Sequence, residues 1–461
     1  ASISNSASAE STASSADANA TASDVDGAEI GSVDIGGVGS ITGQTSFAGS
    51  ADATSVTGLA STADASLADA DGLEGLAAIN VSSDAGLTGI NSVDLTATSA
   101  STGGASPSAA SSIAEATTLQ GAQLGNNTDI GGVGNIGGQV DFNATAASTN
   151  VTGSATAGAS LGDVKDGFAV PTSGGLTTGV DLGSLTTSTT SGLAQGLVTG
   201  TDGTSTSGVR SYGTDIKSDG TLQGFANLSN TADASTTDGA AAAGAYANTI
   251  DGANLGDVNI GGVGSLTGSA NFAGSASSSN VGDEAGDISG AVSQLNDIDG
   301  LEATAGLNVA SDAGISGLAA VDLGSSAEST SGGYAIASAQ AGTLQGAELG
   351  ATDIGGVGSV AGETSLTSGA ASSNVSGQAI SLSQLTTAEG LQQTGELDVK
   401  SDASVQGLAN VSSSADAATT AGAATANALS TTINGADLAA GNLDIGGIGS
   451  IAGQANFGLS A

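Results

Sequence analysis

The sequence predicts an all-β protein, a parallel β-solenoid (β-helix) rod of about nine pseudo-equivalent half-units with few or no helices. Three observations carry this prediction: a motif that recurs five times, short segments that alternate apolar and polar residues, and a composition with little side-chain bulk. The 461 residues include 76 Gly, and aromatic residues make up only 2%. A repeated unit with one apolar edge and no core of its own is stable only when neighbouring units cover it.

The first motif is Asp or Asn followed by Ile-Gly-Gly, then Val or Ile, then Gly. Its copies begin 95, 130, 94 and 91 residues apart, at Asp34, Asp129, Asn259, Asp353 and Asp444. Eight residues after the last glycine comes a large apolar residue, which is Phe47, Phe142, Phe272, Leu366 or Phe457. Four of the six Phe residues occupy this position. Such regularity predicts that every copy lies at the same place in a repeated layer.

A second motif lies between copies of the first, at Ser83–Gly89, Ser218–Gly224, Ser311–Gly317 and Ser401–Gly407. Both motifs follow a short alternating segment, Val33–Ile35 or Ile79–Val81, and both lead to an apolar-x-Gly triplet. The repeating unit is therefore about half of the motif spacing. The recurring glycines are expected at corners that need a positive φ or at close approaches of the backbone.

The small side chains predict thin layers with a narrow interior filled by Ala, Val and Ile. Layers stack ~4.8 Å apart, so coils of roughly 20–25 residues would give a rod of about twenty coils, roughly 100 Å long. An antiparallel sandwich array is the alternative fold. Disorder is a further alternative because the chain is acidic and poor in aromatics. The recurring Val and Ile and the mean hydropathy of +0.16 favour a folded chain.

A single continuous solenoid is expected over residues 1–461, interrupted by an insertion at 163–203. The insertion is inferred from the 130-residue spacing between Asp129 and Asn259, which exceeds the other spacings by 35 to 39 residues. It is expected either to form a surface loop or to contact a neighbouring protomer. In the second case Lys165, Arg210 and Lys217 would meet acidic groups of the neighbour.

The charge of the chain restricts its partners. Only four basic residues stand against 45 acidic ones, a formal net charge of −41. Nucleic acid and anionic membrane surfaces are excluded as partners because their binding needs clustered Lys and Arg. No apolar segment approaches the roughly eighteen residues that a membrane span requires. Cations such as Ca²⁺ are the expected charged partners, and a uniformly acidic surface for solubility is the alternative interpretation.

Residue types that the chain lacks predict its location and argue against catalysis. The sequence contains no Cys, Met, Trp or His and begins at Ala1. We expect an extracellular or cell-surface protein from which an export signal has been removed. Without His or Cys there is no His-based triad, thiol nucleophile or common zinc site. The carboxylates follow the repeat instead of gathering in one cleft, so we expect a protein that is not an enzyme.

Calcium is the one ligand that a local pattern indicates. The pattern Asp-x-Asp-Gly occurs three times, with the carboxylates at Asp24 and Asp26, Asp69 and Asp71, and Asp297 and Asp299. Paired carboxylates beside a sharp glycine turn are ligands that suit a hard cation, which predicts these six residues as metal ligands. The alternative is that they are ordinary solvated Asp-Gly turns.

The expected function follows from the two ends of the repeat, neither of which resembles a cap. Uncapped solenoid ends favour head-to-tail stacking into an open polymer. The sequence therefore predicts the subunit of an extracellular filament, surface appendage or sheath that assembles with copies of itself. The alternative is a monomeric, repetitive cell-surface adhesin or biofilm-matrix protein that binds cations or polysaccharide.

Overall fold

The described part of the chain folds into 27 β-strands arranged in two parallel sheets. The structure is a computed structural model, and it describes all residues except 13, 57–59, 76, 103–107, 126, 152, 162–204, 238, 282–287, 331–332 and 439–441. Each strand pairs in parallel with its counterpart one layer away. The predicted all-β parallel solenoid is therefore confirmed.

Sheet 1 contains ten strands stacked in chain order. All but the first and the last are 17 residues long, and inward and outward side chains alternate along them. The strands of sheet 1 are β1 (Ser2–Ser11), β4 (Gly39–Ser55), β7 (Ala85–Ser101), β10 (Gly134–Asn150), β13 (Gly220–Thr236), β15 (Gly264–Asn280), β18 (Ala313–Ser329), β21 (Gly358–Asn374), β24 (Ala403–Thr419) and β27 (Gly449–Ser460).

Sheet 2 contains 17 strands and covers the other side of the interior. In most layers a long strand is followed by a strand of three residues. The long strands are β2 (Ala16–Ile30), β5 (Ser61–Gly75), β8 (Ser108–Leu124), β11 (Gly153–Leu161), β12 (Ser205–Ile216), β14 (Ala241–Ile260), β16 (Ile288–Ala303), β19 (Tyr334–Leu349), β22 (Gln378–Gln393) and β25 (Ala424–Asp437). The short strands are β3 (Val33–Ile35), β6 (Ile79–Val81), β9 (Thr128–Ile130), β17 (Leu307–Val309), β20 (Thr352–Ile354), β23 (Leu397–Val399) and β26 (Leu443–Ile445).

One coil is about twice as long as the sequence suggested. From β4 onwards, successive strands of sheet 1 begin 44 to 49 residues apart, except for 86 residues between Gly134 and Gly220. Each half-unit of the sequence repeat is therefore one complete coil. The expectation of about twenty coils and a 100 Å rod was wrong, and the ten layers span roughly 45 Å. In the longer interval, β11 and β12 together fill the fourth layer of sheet 2. The predicted insertion at 163–203 lies outside the described residues.

Glycines bring the two sheets into backbone contact along a line that we call the glycine seam. The fifth residue of the 17-residue strands is glycine, and each faces a glycine of sheet 2. For example, a Cβ added to Gly268 would overlap the carbonyl oxygen of Gly300, and one added to Gly317 would overlap that of Gly346. Gly239 is the only described residue with a positive φ. Of the two roles expected for the glycines, close approach of the backbone is therefore confirmed, and positive-φ corners are not found at the seam.

The seam divides the interior into two lobes. On one side, buried Ala residues predominate together with the column that contains Phe47 and Phe272, and we call this the alanine lobe. On the other side, the interior is filled mainly by Leu, Ile and Val, including Leu301 and Leu391, and we call this the leucine lobe. The predicted filling by Ala, Val and Ile is therefore confirmed in part, since Ala predominates in the first lobe and Ile and Val share the second with Leu.

The two sequence motifs form two kinds of turn that alternate along the stack. In the second motif, the Asp84 carboxylate accepts a hydrogen bond from the backbone N–H of Val133 in the next layer, at 2.8 Å. A Cβ added to Gly132 would overlap that carboxylate, which explains the Gly-Gly pair of the first motif. Asp219, Asp312 and Asp402 make the equivalent bond at 2.7 or 2.8 Å. The interaction joins unlike layers and explains why the sequence repeats every two coils.

Candidate functional site

The acidic residues of sheet 2 gather along the outer side of the glycine seam. On β5, Ala70 is fully buried in the alanine lobe and Gly72 approaches the backbone of sheet 1, so both face the interior. Neighbouring side chains of a strand point to opposite faces, and therefore Asp69 and Asp71 lie on the outer face. Asp71 is nevertheless only 5% exposed.

In-register stacking converts these residues into three columns, which we call the acidic strip, and the first column includes Asp24, Asp69 and Asp297. The pairing of consecutive sheet 2 strands places each residue beside its counterpart one layer away. The second column, which lies just before the seam glycines, contains Asp26, Asp71, Gln120, Ser207, Asp251, Asp299, Gln345, Glu389 and Asn434. The third column, which lies just after them, contains Glu29, Glu74, Gln123, Arg210, Asn254, Glu302, Glu348, Gln392 and Asp437.

Six carboxylates of the first two layers of sheet 2 form the N-terminal cluster, which consists of Asp24, Asp26, Glu29, Asp69, Asp71 and Glu74. Burial, followed by repulsion from Asp69 and Glu74, raises the pKa of Asp71 to about 8. Burial, followed by repulsion from Asp24 and Asp26, raises the pKa of Asp69 to about 6. One oxygen of Asp69 and one of Asp71 are buried without a hydrogen-bond partner. The cluster is therefore a place where negative charge is costly and uncompensated.

A second group, the central cluster, lies on β12, β14 and β16 and consists of Arg210, Asp251, Asn254, Asp297, Asp299 and Glu302. One carboxylate oxygen from each of Asp251, Asp299 and Glu302 lies within 4.8 Å of the other two. Asp251 is only 1% exposed. Its Oδ2 accepts a hydrogen bond from Asn254 at 3.2 Å and lies 3.5 Å from Nη2 of Arg210.

Burial dominates the protonation behaviour of this cluster as well. It raises the pKa of Asp251 to about 7, although the hydrogen bond from Asn254 and the positive charge of Arg210 act in the opposite direction. Burial and then repulsion from Glu302 raise the pKa of Asp297 to about 6. Burial, Asp297 and Asp251 hold the pKa of Asp299 well above its usual range.

The structure joins four of the six predicted calcium ligands. Asp24 pairs with Asp69 and Asp26 pairs with Asp71, so these four share the N-terminal cluster. The remaining two, Asp297 and Asp299, lie on β16 in the central cluster, four layers away. The expectation of Asp-Gly turns at these sites was wrong, since the three Asp-x-Asp-Gly segments lie inside strands β2, β5 and β16. Their glycines belong to the seam, where a side chain would not fit. Binding of calcium to the six residues stays a prediction.

Several members of the strip were missed by the sequence reasoning. Glu29, Glu74 and Glu302 each follow the second Asp of the pattern by three residues, so the complete pattern is Asp-x-Asp-Gly-x-Glu. That spacing could have identified them. Asp251 carries no such signal because Thr249 replaces the first Asp and Asn254 replaces the Glu. Only the register of β14 against β16 brings Asp251 beside Asp299.

The basic residues that the structure describes are paired within the chain. Arg210 lies beside Asp251, and Lys217 forms ion pairs with Asp215 and with Asp129. Lys400 forms an ion pair with Asp398, which lies on the short strand β23. Arg210 and Lys217 thus have acidic partners inside the protomer, whereas Lys165 lies outside the described residues.

Together, the parallel ladders and stacked columns define the chain as a parallel β-solenoid. The chain matches no protein-family model, no curated protein and no solved structure. Among the residues that the structure describes, no helix is long and apolar enough to cross a membrane. Functional conclusions for this chain therefore rest on its own geometry.

Proposed function

We propose that the protein is a structural subunit of an extracellular filament, surface appendage or sheath in which copies stack head to tail. The observation that carries this proposal is the column of large apolar residues in sheet 1. From one end to the other it reads Ile3, Phe47, Val93, Phe142, Leu228, Phe272, Val321, Leu366, Val411 and Phe457. Apart from the Leu228 layer, Phe or Leu alternates with a β-branched residue.

This alternation continues when a second copy is added. The column begins with β-branched Ile3 and has Phe457 at its other end. If β1 of a second copy paired in register with β27, Ile3 of that copy would lie beside Phe457. Phe457 would then have the same kind of neighbour that Phe47 has within the chain. A second copy therefore fits this edge better than an unrelated strand would.

The exposed edge of sheet 1 would drive the stacking of one copy on the next. Within the described residues, no strand pairs with the outer edge of β27. Phe457 is 69% exposed and Ile451 is 52% exposed, whereas Phe47 in the same column is 1% exposed. An exposed edge offers unpaired N–H and C=O groups for β-sheet extension. Stacking would satisfy those groups in sheet 1 and remove the apolar surface of Phe457 and Ile451 from water.

The alternative function is a monomeric adhesin or matrix protein. It is favoured by a shallow groove of about 730 Å³ on the outer face of sheet 1, lined by Asp, Asn and Ser side chains such as Asp94, Asp141 and Asn227. Polar groups in a groove could hydrogen-bond sugar hydroxyls. Both functions are structural, and in both the protein would act outside the cell. The chain contains no Cys, so its stability does not depend on disulfides.

Electron microscopy of the purified protein tests the proposal. We expect unbranched fibres with an axial repeat of about 48 Å, which is ten layers of about 4.8 Å. Phe457→Asp should abolish the fibres because it places a charge in the stacking contact. Phe225→Asp is the matched control, since Phe225 is 38% exposed in the middle of the rod. Isolated rods at every concentration would reject the filament and favour the adhesin.

Cysteine cross-linking tests the register between copies. Ser4 pairs with Ala48 within the chain, and Gly458 occupies the equivalent position of β27. The double variant Ser4→Cys/Gly458→Cys should therefore form a ladder of disulfide-linked oligomers on a non-reducing gel. The control Asn5→Cys/Gly458→Cys places the two thiols on opposite faces and should remain largely monomeric. Equal cross-linking of both variants would contradict the proposed stacking.

A further inference from the structure

The central cluster contains a buried carboxylate that the protein leaves partly unsatisfied. Asp251 is 1% exposed, and its Oδ1 atom is buried without a hydrogen-bond partner. Burying a carboxylate oxygen without a partner is strongly unfavourable. Arg210 lies 3.5 Å from the other oxygen of Asp251 and brings one positive charge to a group with three carboxylates. With all three carboxylates ionised, the group carries an excess of two negative charges.

The spacing of the three carboxylates matches the coordination shell of a single ion. One oxygen from each of Asp251, Asp299 and Glu302 lies within 4.8 Å of the others. Calcium binds oxygen ligands at about 2.3–2.6 Å, so two ligands on opposite sides of one ion are separated by up to about 5 Å. Among the described residues, this is the only group of three acidic side chains with such spacing.

The neighbouring layers define the limits of the group. Asp251 and Asp299 are adjacent members of the second column, and the residues that flank them in the column are the neutral Ser207 and Gln345. Asn254 donates hydrogen bonds to both Asp251 and Glu302 and thereby links the two layers. Along the second column the group is therefore bounded by neutral residues, whereas in the third column Glu302 is followed by the acidic Glu348.

We propose that Asp251, Asp299 and Glu302 form a binding site for one hard divalent cation of the calcium type. The ion would satisfy Oδ1 of Asp251 and balance the two excess negative charges. It would also join strands β14 and β16, because one ligand comes from the first strand and two come from the second. Cation binding would therefore stabilise the contact between these two layers. This inference does not depend on whether copies of the protein assemble.

Calcium titration of the full chain tests the site. After removal of metal with a chelator, isothermal titration calorimetry with CaCl₂ should show saturable binding, and calcium should raise the melting temperature. Asp299→Asn should lose one binding event or weaken it at least about tenfold, since calcium affinity follows the number of charged ligands. Asp322→Asn, an exposed residue of sheet 1, is the matched control and should bind as the native chain does.

Melting in chelator separates a cation site from a purely structural role. Asp299→Asn removes a buried, repelled charge, so without calcium it should melt no lower than the native chain, while losing calcium-dependent stabilisation. A native chain that shows neither calcium heat nor a melting shift would overturn the proposal. So would a variant that retains the full calcium response, because the ion would then bind elsewhere.

Discussion

The two lobes of the interior share one backbone repeat but are filled in different ways. In the alanine lobe, small side chains and serine hydroxyls face each other across the two sheets, as with Ser278 and Ser289. In the leucine lobe, Leu, Ile and Val fill the space between the strand ends and the short strands. The seam glycines separate the lobes because they hold the sheets in backbone contact. The amino-acid composition of the whole chain therefore does not show that its interior has two differently filled lobes.

The largest effect is expected at the seam, where neither lobe can absorb added volume. Gly268→Ala places a methyl group against the backbone of Gly300 and Leu301, which cannot rotate away as a side chain can. We expect the free energy of unfolding to fall by about 3 kcal/mol or more. Gly314→Ala is the control, because no atom lies within 4 Å of its added Cβ. Guanidinium unfolding followed by circular dichroism measures both, and equal stability of the two variants would disprove the seam.

The lobes themselves should respond unequally to truncation. Leu301→Ala in the leucine lobe removes most of a fully buried side chain and should cost about 3 kcal/mol. Ala291→Gly in the alanine lobe removes one buried methyl group and should cost about 1 kcal/mol. The same unfolding experiment compares them. A larger loss for Ala291→Gly would show that the lobe of small residues carries most of the stability.

A change of pH is expected to have a smaller effect on stability, through Asp71 on the outer side of the glycine seam. Burial, followed by repulsion from Asp69 and Glu74, raises the pKa of Asp71 from its ordinary value of 3.8 to about 8. Between these values the folded chain holds a proton that the unfolded chain has released, so this contribution to stability is lost as pH rises towards 8. The melting temperature should therefore be lower at pH 8.5 than at pH 5.5.

The Asp71→Asn variant sharpens this prediction. Its amide cannot ionise, so the fall in melting temperature over the same interval should be smaller than in the native chain. Asp52→Asn is the control because Asp52 is exposed on sheet 1. If Asp71→Asn and Asp52→Asn changed the pH dependence equally, the burial of Asp71 would not be its cause.

The sequence predicted the elements that depend on local pattern. Val33–Ile35 and Ile79–Val81 are strands with the expected bounds, and the recurring Phe position is a single stacked column. Alternating apolar residues with fixed offsets were sufficient for these features. The solenoid class followed from the same pattern.

The length of the coil and the role of the glycines could not be predicted in this way. The length of a coil is set by which segments pair between layers. Nothing in the sequence of Ser61–Gly75 shows that its partners lie 45 residues before it and 49 residues after it. Glycine permits both positive φ and close packing, and the sequence does not distinguish them. The same ambiguity made the Asp-x-Asp-Gly segments resemble turns. For Asp251, the site depends on register between strands, which no local pattern contains.

The most direct test of how the chain winds is an engineered disulfide between two layers. The chain has no Cys of its own, so only the two introduced residues can form the bond. Thr367 and Ser412 are exposed partners on β21 and β24, although 45 residues separate them in the sequence. Parallel neighbours lie about 4.8 Å apart, within the range that a disulfide spans. Thr367→Cys/Ser412→Cys should therefore form an intramolecular disulfide that mass spectrometry detects, and Thr367→Cys/Ser413→Cys should not. Failure of the first pair, or equal oxidation of both, would contradict a coil of this length and register.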